Sequence, residues 1–295
     1  MICFNQSGYL PDAAKIAVLT HSCDTFSLED AITGQIVYTG KTKLYNDGNP
    51  DEVSGDIVYH ADFSAFREEG KFILHAGELA SSPFFIGRDV YRRLKTDLIR
   101  SYYFQRCGCA LDPAHAGKFT HGCCHTAPAV LFDNPSVELD LSGGWHDAGD
   151  YGRYVTAAAT ALAHLLYAFA LFPDRFLDPL NLPETGNGTP DLLNECRYEL
   201  EWLLKMQRPD GGVFHKVSTW HHAPFIMPEL DSAPLYAYAV STPATADFSA
   251  VTALASRIYA PYYREFSEKL GFAAKLSWIF LEIHPELINC TTPPG

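Results

Sequence analysis

The sequence predicts a multidomain β + α chain: a β-sandwich over residues 1–88, then a helical domain over 89–295. Three observations predict it. The first 88 residues alternate apolar and polar side chains with period two, in short runs broken by turn residues. After Gly87 the apolar spacing lengthens to that of helices. The 295 residues, 47% of them hydrophobic, exceed what one core usually organises and suffice for two.

The β-rich runs are "KIAVLT", "TFSLED", "QIVYTG", "GDIVYHADF", "KFILHAG" and "SPFFIG", punctuated by "DAITGQ", "NDGNPDE" and "REEGK". Their spacing matches a sandwich of about 85 residues, the size of an immunoglobulin-type module. The helical segments are "DVYRRLKTDLIRSYYFQRCG", "YVTAAATALAHLLYAFALFP", "TPDLLNECRYELEWLLKMQ", "ATADFSAVTALASRIYAPY" and "EFSEKLGFAAKLSWIFLEIHP". Thr189, Pro190 and Asp191 read as a capping hydroxyl, an N1 proline and a first-turn acid. The run Ala157 to Phe172 is apolar over most of its circumference, which predicts burial between neighbours on both sides, as in a closed ring of helices.

A formal charge of −13, from 22 Lys plus Arg against 35 Asp plus Glu, argues against nucleic acid and anionic membrane as partners. A neutral substrate is compatible with it. No window has the length of a membrane span, and the N-terminus lacks a basic region leading into an apolar one. The expectation is a cytoplasmic chain as written, or an extracellular one if the N-terminus is incomplete. Composition sets no oligomeric state.

Of eight cysteines, Cys107, Cys109, Cys123 and Cys124 fall within eighteen residues and alternate with His115 and His121; His125 and His146 follow. A structural zinc takes four such ligands in a tetrahedron. The spacing fits no standard zinc finger, so buried thiols and surface histidines remain the alternative.

The stretch "SGGWHDAGDYGRYV" sets Asp147 and Asp150 three residues apart among glycines and aromatics, just before an apolar helix. Asp150 reads as an N-cap of a helix starting near Tyr151. The same position suits a catalytic base, because helix amides favour an ionised carboxylate. Inverting glycoside hydrolysis needs one carboxylate to activate water and a distant acid to protonate the leaving oxygen. Trp145, Tyr151 and Tyr154 offer faces for a sugar ring. Trp145, Trp220, Tyr236 and Tyr238 could serve as stacking platforms, but an aromatic in a helical barrel is more often core.

These residues resemble glycoside hydrolase family 9, the inverting cellulases, in the subgroup with an N-terminal immunoglobulin-like domain. "NQSGYLPDAAKIAV", "SYYFQRCG", "SGGWHDAGDYGRYV", "LPETGNGTPDLLNECRYELEWLLKMQRPDGGVFHKV" and "TADFSAVTALASRIYAPY" occur in the family's order. The resemblance implies that the helical part is the first portion of an (α/α)6 barrel acting on cellulose or another β-1,4-glucan, or on cello-oligosaccharides. It implies Asp150 as the base, Asp147 as the partner that positions water, and His215 as a residue lining the sugar cleft. It implies a structural zinc held by Cys107, Cys124, His125 and His146, with Cys109 and Cys123 as possible substitutes; calcium is compatible but no residue is assigned to it. Glu184, Asp191 and Glu195 read by default as capping and solvated residues.

The family's general acid is a glutamate near the far end of a twelve-helix domain, and here the 207 residues after residue 88 have room for roughly six or seven helices. Glu265, Glu268, Glu282 and Glu286 do not stand in a segment resembling the acid motif. The final "LEIHPELINCTTPPG" reads as a helix end and a loop. The expectation is a truncated endoglucanase-like chain with the base and no acid, weak hydrolysis alone, and exposed apolar helix faces that favour self-association. Exo action on short oligosaccharides, as a β-glucosidase or glucosaminidase, and non-catalytic carbohydrate binding are the alternatives.

Overall fold

The computed structural model describes residues 1–290; the last five residues of the closing segment lie outside them. The chain divides into two compact units, Met1–Asp97 and Leu98–Gly295.

The first unit is all β until its last residues. Its strands are β1 (Ile2–Cys3), β2 (Ile16–Leu19), β3 (Thr25–Asp30), β4 (Ile36–Leu44), β5 (Tyr59–Asp62), β6 (Gly70–Ala76), β7 (Leu79–Ala80) and β8 (Phe84–Ile86). Strand order is β1-β2-β5-β4-β3-β6-β7, with β8 also paired to β6. The long β4 pairs with β3 through residues 36–41 and with β5 through 42–44, so it passes from one half of the sheet to the other. The predicted alternation is realised: Phe26 and Leu28 on β3 and Phe72, Leu74 and Ala76 on β6 point inward. They meet Phe63, Phe84 and Tyr9 in one aromatic core. Lys15 is also buried, and its ammonium is satisfied by the carbonyls of Pro11, Ala13 and Ser64 at 2.6, 2.9 and 3.2 Å.

The helices are α1 (Arg92–Tyr103), the single turn α2 (Pro113–Ala116), α3 (Val155–Leu171), α4 (Asp191–Lys205), α5 (Thr242–Tyr259) and α6 (Arg264–Ile283). Among the described residues five of them are long, one or two fewer than length alone predicts, because 104–154 and 206–241 form loops and a second sheet. That sheet contains β9 (Ala129–Leu131), β10 (Asn134–Leu139), β11 (Arg153–Tyr154), β12 (Lys216–Thr219) and β13 (Leu235–Ala237) in the order β10-β9-β13-β12-β11. Helix α5 packs between α3 and α6, and α4 against α3.

Three expectations need correction. Helix α3 is not enclosed on both sides: Val155, Ala159, Leu162, Leu166 and Phe169 are buried, but Tyr167 and Leu171 face solvent. On α6, by contrast, the exposure of Phe272, Trp278, Ile279 and Ile283 is what a partial barrel predicts. Thr189 does not cap α4; its hydroxyl donates to the Tyr263 hydroxyl at 2.9 Å, and Asp191 accepts from the Leu180 N–H and the Thr185 hydroxyl at 2.7 and 2.6 Å. No helix among the described residues is long and apolar enough to cross a membrane.

Candidate functional site

The acid-bearing loop is built from close backbone approaches. A Cβ on Gly144, at φ +79°, would lie 2.6 Å from the Trp202 indole, so only glycine lets the loop settle on α4. The Cys107 N–H then donates to the Gly144 carbonyl and the His146 N–H to the Gln105 carbonyl, both at 2.7 Å. This two-bond bridge sets Cys107 beside His146. Further on, the Asp147 N–H donates to the Gly152 carbonyl at 2.8 Å, closing a turn in which Tyr151 takes a left-handed φ of +57°. The Arg153 guanidinium fills the loop's concave side and donates to the carbonyls of Leu141 and Gly143 at 2.6 and 2.8 Å.

Asp150 is not an N-cap, which corrects one reading of its place before the apolar run. Helix α3 starts at Val155, after Tyr154, and its start has no side-chain cap. Instead one carboxylate oxygen of Asp150, Oδ2, accepts from the Tyr154 hydroxyl at 3.0 Å and faces His222 Nδ1 at 2.8 Å. The other, Oδ1, accepts only a long 3.4 Å bond from the Gly152 N–H. Burial, followed by the Asp150 carboxylate, pushes the Tyr154 phenol well above its ordinary value, so it stays a donor at neutral pH. Asp147 is exposed and borders a cavity of about 270 Å³ with Ser101, Tyr102, Gln105, Trp145 and Tyr154.

His215 lies at the start of β12. Its Nδ1 is 3.0 Å from the Ser241 hydroxyl, which caps α5, and burial with the neighbouring Lys216 lowers its pKa. It does not border the cavity that Asp147 borders. The adjacent Lys216 ammonium lies over the Tyr154 and Tyr238 rings at 5.2 and 4.4 Å. Trp145 is core: its indole N–H donates to the fully buried Glu195 at 2.8 Å. Glu195 also takes a forked bond from Arg106, whose other side holds Glu184 at 2.9 Å. Glu195 is therefore a buried member of an ion network and not a solvated or capping acid, and the partly exposed Glu184 is tied into the same network through Arg106. Trp220 is exposed and stacks on Phe132 at 5.4 Å.

Cys107, Cys124, His125 and His146 come together, all buried, with one donor atom from each lying within 4.8 Å of the others. Cys109 is half-buried and Cys123 exposed, and neither belongs to this group. His146 Nε2 lies 3.3 Å from His125 Nδ1 and 3.9 Å from Cys124 Sγ. Hydrogen bonding between the two thiols pushes Cys124 down, against the opposing effect of burial, and Cys107 up. Two sulfurs and two imidazole nitrogens, all within 4.8 Å of one another, fit a four-coordinate metal ion. His125 turns its Nε2 to Asp231, 3.2 Å away and almost fully buried.

His222 and Asp231 are not marked by the sequence, and Tyr154 is marked there only as a stacking face and not as a donor to Asp150. Their partners lie far along the chain or across a turn, and no local motif signals them.

The chain joins an immunoglobulin-like β module to a helical unit in which Asp147 and Asp150 share one turn and Asp147 borders an aromatic-lined cavity. The chain belongs to glycosyl hydrolase family 9: the family model matches residues 91–293, and a cellulase N-terminal ig-like domain model matches 1–81. Its helical unit is thus the first portion of an (α/α)6 barrel. A cellodextrinase of Butyrivibrio fibrisolvens is 40% identical over 294 residues, covering 99% of this chain and 53% of that protein. A solved Zn-binding triple mutant of the family 9 endoglucanase J30 is 40% identical, covers 97% of this chain and 55% of its own, and superposes with a TM-score of 0.90. AaCel9A in complex with cellobiose-like isofagomine is 36% identical, with a TM-score of 0.90 over 99% of this chain and 54% of that one. The chain spans about half the length of the curated relatives it matches.

Proposed function

We propose that this chain carries the water-activating half of an inverting β-1,4-glucanase site, acting on cellulose, related β-glucans or cello-oligosaccharides. One observation carries the reading. Asp150 is oriented by Tyr154 and His222, on the same turn as the exposed Asp147. Asp150 is the base and Asp147 helps hold the water; a glutamate outside the segments recognised here protonates the leaving oxygen. His215 belongs to the substrate-lining set by resemblance, and the module boundary falls at residue 88.

The metal we assign is a structural zinc. When bound it supplies a tetrahedral cross-link among three chain segments: Cys107, the Cys124–His125 pair and His146. The likeness to a Zn-binding relative and the donor set support this.

The test is the anomeric form of the product. The chain releases the α-anomer from cellohexaose, slowly for want of the acid, and Asp150→Asn lowers that rate 10²–10⁴-fold. Release of the β-anomer, or cleavage insensitive to Asp150→Asn, refutes the assignment. Binding of cellodextrin without cleavage identifies a carbohydrate-binding fragment, and the spread of products separates endo from exo action.

A further inference from the structure

Asp231 belongs to none of the motifs that carry the family resemblance, yet its side chain is only 5% exposed and lies 3.2 Å from His125. The His125 ring is used on both sides. Its Nδ1 faces the other donors, 3.3 Å from His146 Nε2, and its Nε2 faces Asp231 Oδ2. The remaining oxygen of Asp231 accepts the Ala233 N–H at 3.2 Å, which fixes the carboxylate from behind. His125 itself has a left-handed φ of +50°, so its backbone does not rest in the commonest well.

Asp231 also ends a segment with two other ties to the acid loop. The Tyr151 hydroxyl donates to the Ile226 carbonyl. His222 reaches Asp150. The segment between them makes few contacts of its own: His221, His222, Pro224, Phe225, Met227, Glu229 and Leu230 are exposed.

We propose that Asp231 is the outer-shell partner of the metal centre, fixing His125 with Nδ1 toward the ion, and that through it the centre anchors the strap 221–231 across the acid loop. The proposal rests on the metal assignment above. A carboxylate accepting the second N–H of a metal-bound imidazole sets the tautomer and ring orientation, and removing it typically costs 10–100-fold in metal affinity. The strap carries His222, so the ion acts at a distance on how Asp150 is presented, with no part in the chemistry.

The experiment uses the 295-residue chain and zinc alone. Zinc affinity is measured by competition with a chromophoric chelator, and hydrogen exchange is read on peptides from 221–231 and, for comparison, from β3 and β6. The expected results are one zinc per wild-type chain, zinc-dependent protection of 221–231, and a 10–100-fold weaker site in Asp231→Asn whose strap exchanges faster even when zinc is saturating. A wild-type chain that binds no zinc overturns the metal assignment itself. If zinc binds but Asp231→Asn keeps the wild-type affinity within twofold, the outer-shell role is overturned. Should that variant misfold, the wild-type comparison decides: unchanged exchange of 221–231 on adding zinc overturns the strap.

Discussion

Glu199 offers the most direct test of the packing behind the acid loop. It lies on α4 with no exposed surface, and neither carboxyl oxygen has a well-formed hydrogen bond among the described residues, the Trp145 backbone N–H being the donor that approaches it. Burial drives its pKa well above the ordinary 4.5, and the opposing pull of the Trp145 N–H and the Arg153 charge only partly restrains it. The folded chain therefore keeps a proton that the unfolded chain sheds. Stability is fully present below about pH 4.5 and falls as pH rises toward the folded value, by at most about 1.4 kcal/mol per pH unit. Glu199→Gln is nearly isosteric and cannot ionise, so it escapes the loss. Urea unfolding of both chains at several pH values gives the difference between them, in which every other titrating group cancels. The two chains should match near pH 4, and the glutamine chain should pull ahead as pH rises above it, by no more than about 1.4 kcal/mol per pH unit. A flat difference curve, or a wild-type chain that gains on the variant as pH rises, would refute a protonated buried acid and point to an ionised Glu199 paired with Arg153.

Zinc at 100 times its dissociation constant should raise the unfolding free energy by about 2.7 kcal/mol, and Cys107→Ser should abolish the gain; equal unfolding midpoints with and without zinc would show that the four-donor cluster holds no ion. The exposed Phe272 and Trp278 on α6 should drive self-association, so sedimentation velocity of the chain is expected to show species larger than a monomer that Phe272→Glu with Trp278→Glu removes. A monodisperse wild-type chain at tens of micromolar would contradict this.

What the sequence made legible followed from periodicity, and what it hid followed from distance. Strand β3 is plain because Phe26 and Leu28 alternate with polar neighbours, and β6 because its run of Phe72, Ile73 and Leu74 is bounded by Lys71 and His75. The second sheet is not, because β11 is two residues long and all four residues of β12 are buried, which leaves no alternation to see. The start of α3 is hidden for a related reason. The glycines and tyrosines before Val155 have no helical period of their own, so the boundary slid back to Tyr151, inside the turn that the Asp147–Gly152 bond closes. The metal donors were recoverable only through family resemblance, since Cys107 and His146 meet by a backbone bridge that no spacing rule encodes. His222 and Asp231 lie 72 and 106 residues from the partners they contact, and only the folded chain brings them in.

The displaced cap changes how the proposed base would work. An N-cap aspartate spends a carboxylate oxygen on helix amides. Asp150 instead commits one oxygen, Oδ2, to two side-chain groups, the Tyr154 hydroxyl and His222. Its Oδ1 keeps only the 3.4 Å bond from Gly152, a length at which little of a hydrogen bond's strength remains. That allocation leaves Oδ1 as the oxygen available to take a proton from water. It also makes the two donors unequal. Tyr154 stands on the strand that leads into α3 and is held there by pairing with Lys216. His222 stands on an exposed strap whose hold depends on Ile226 and Asp231. Removing His222 should therefore loosen the orientation of Asp150 without displacing it, whereas removing the Tyr154 hydroxyl takes away the donor that the sheet keeps in place.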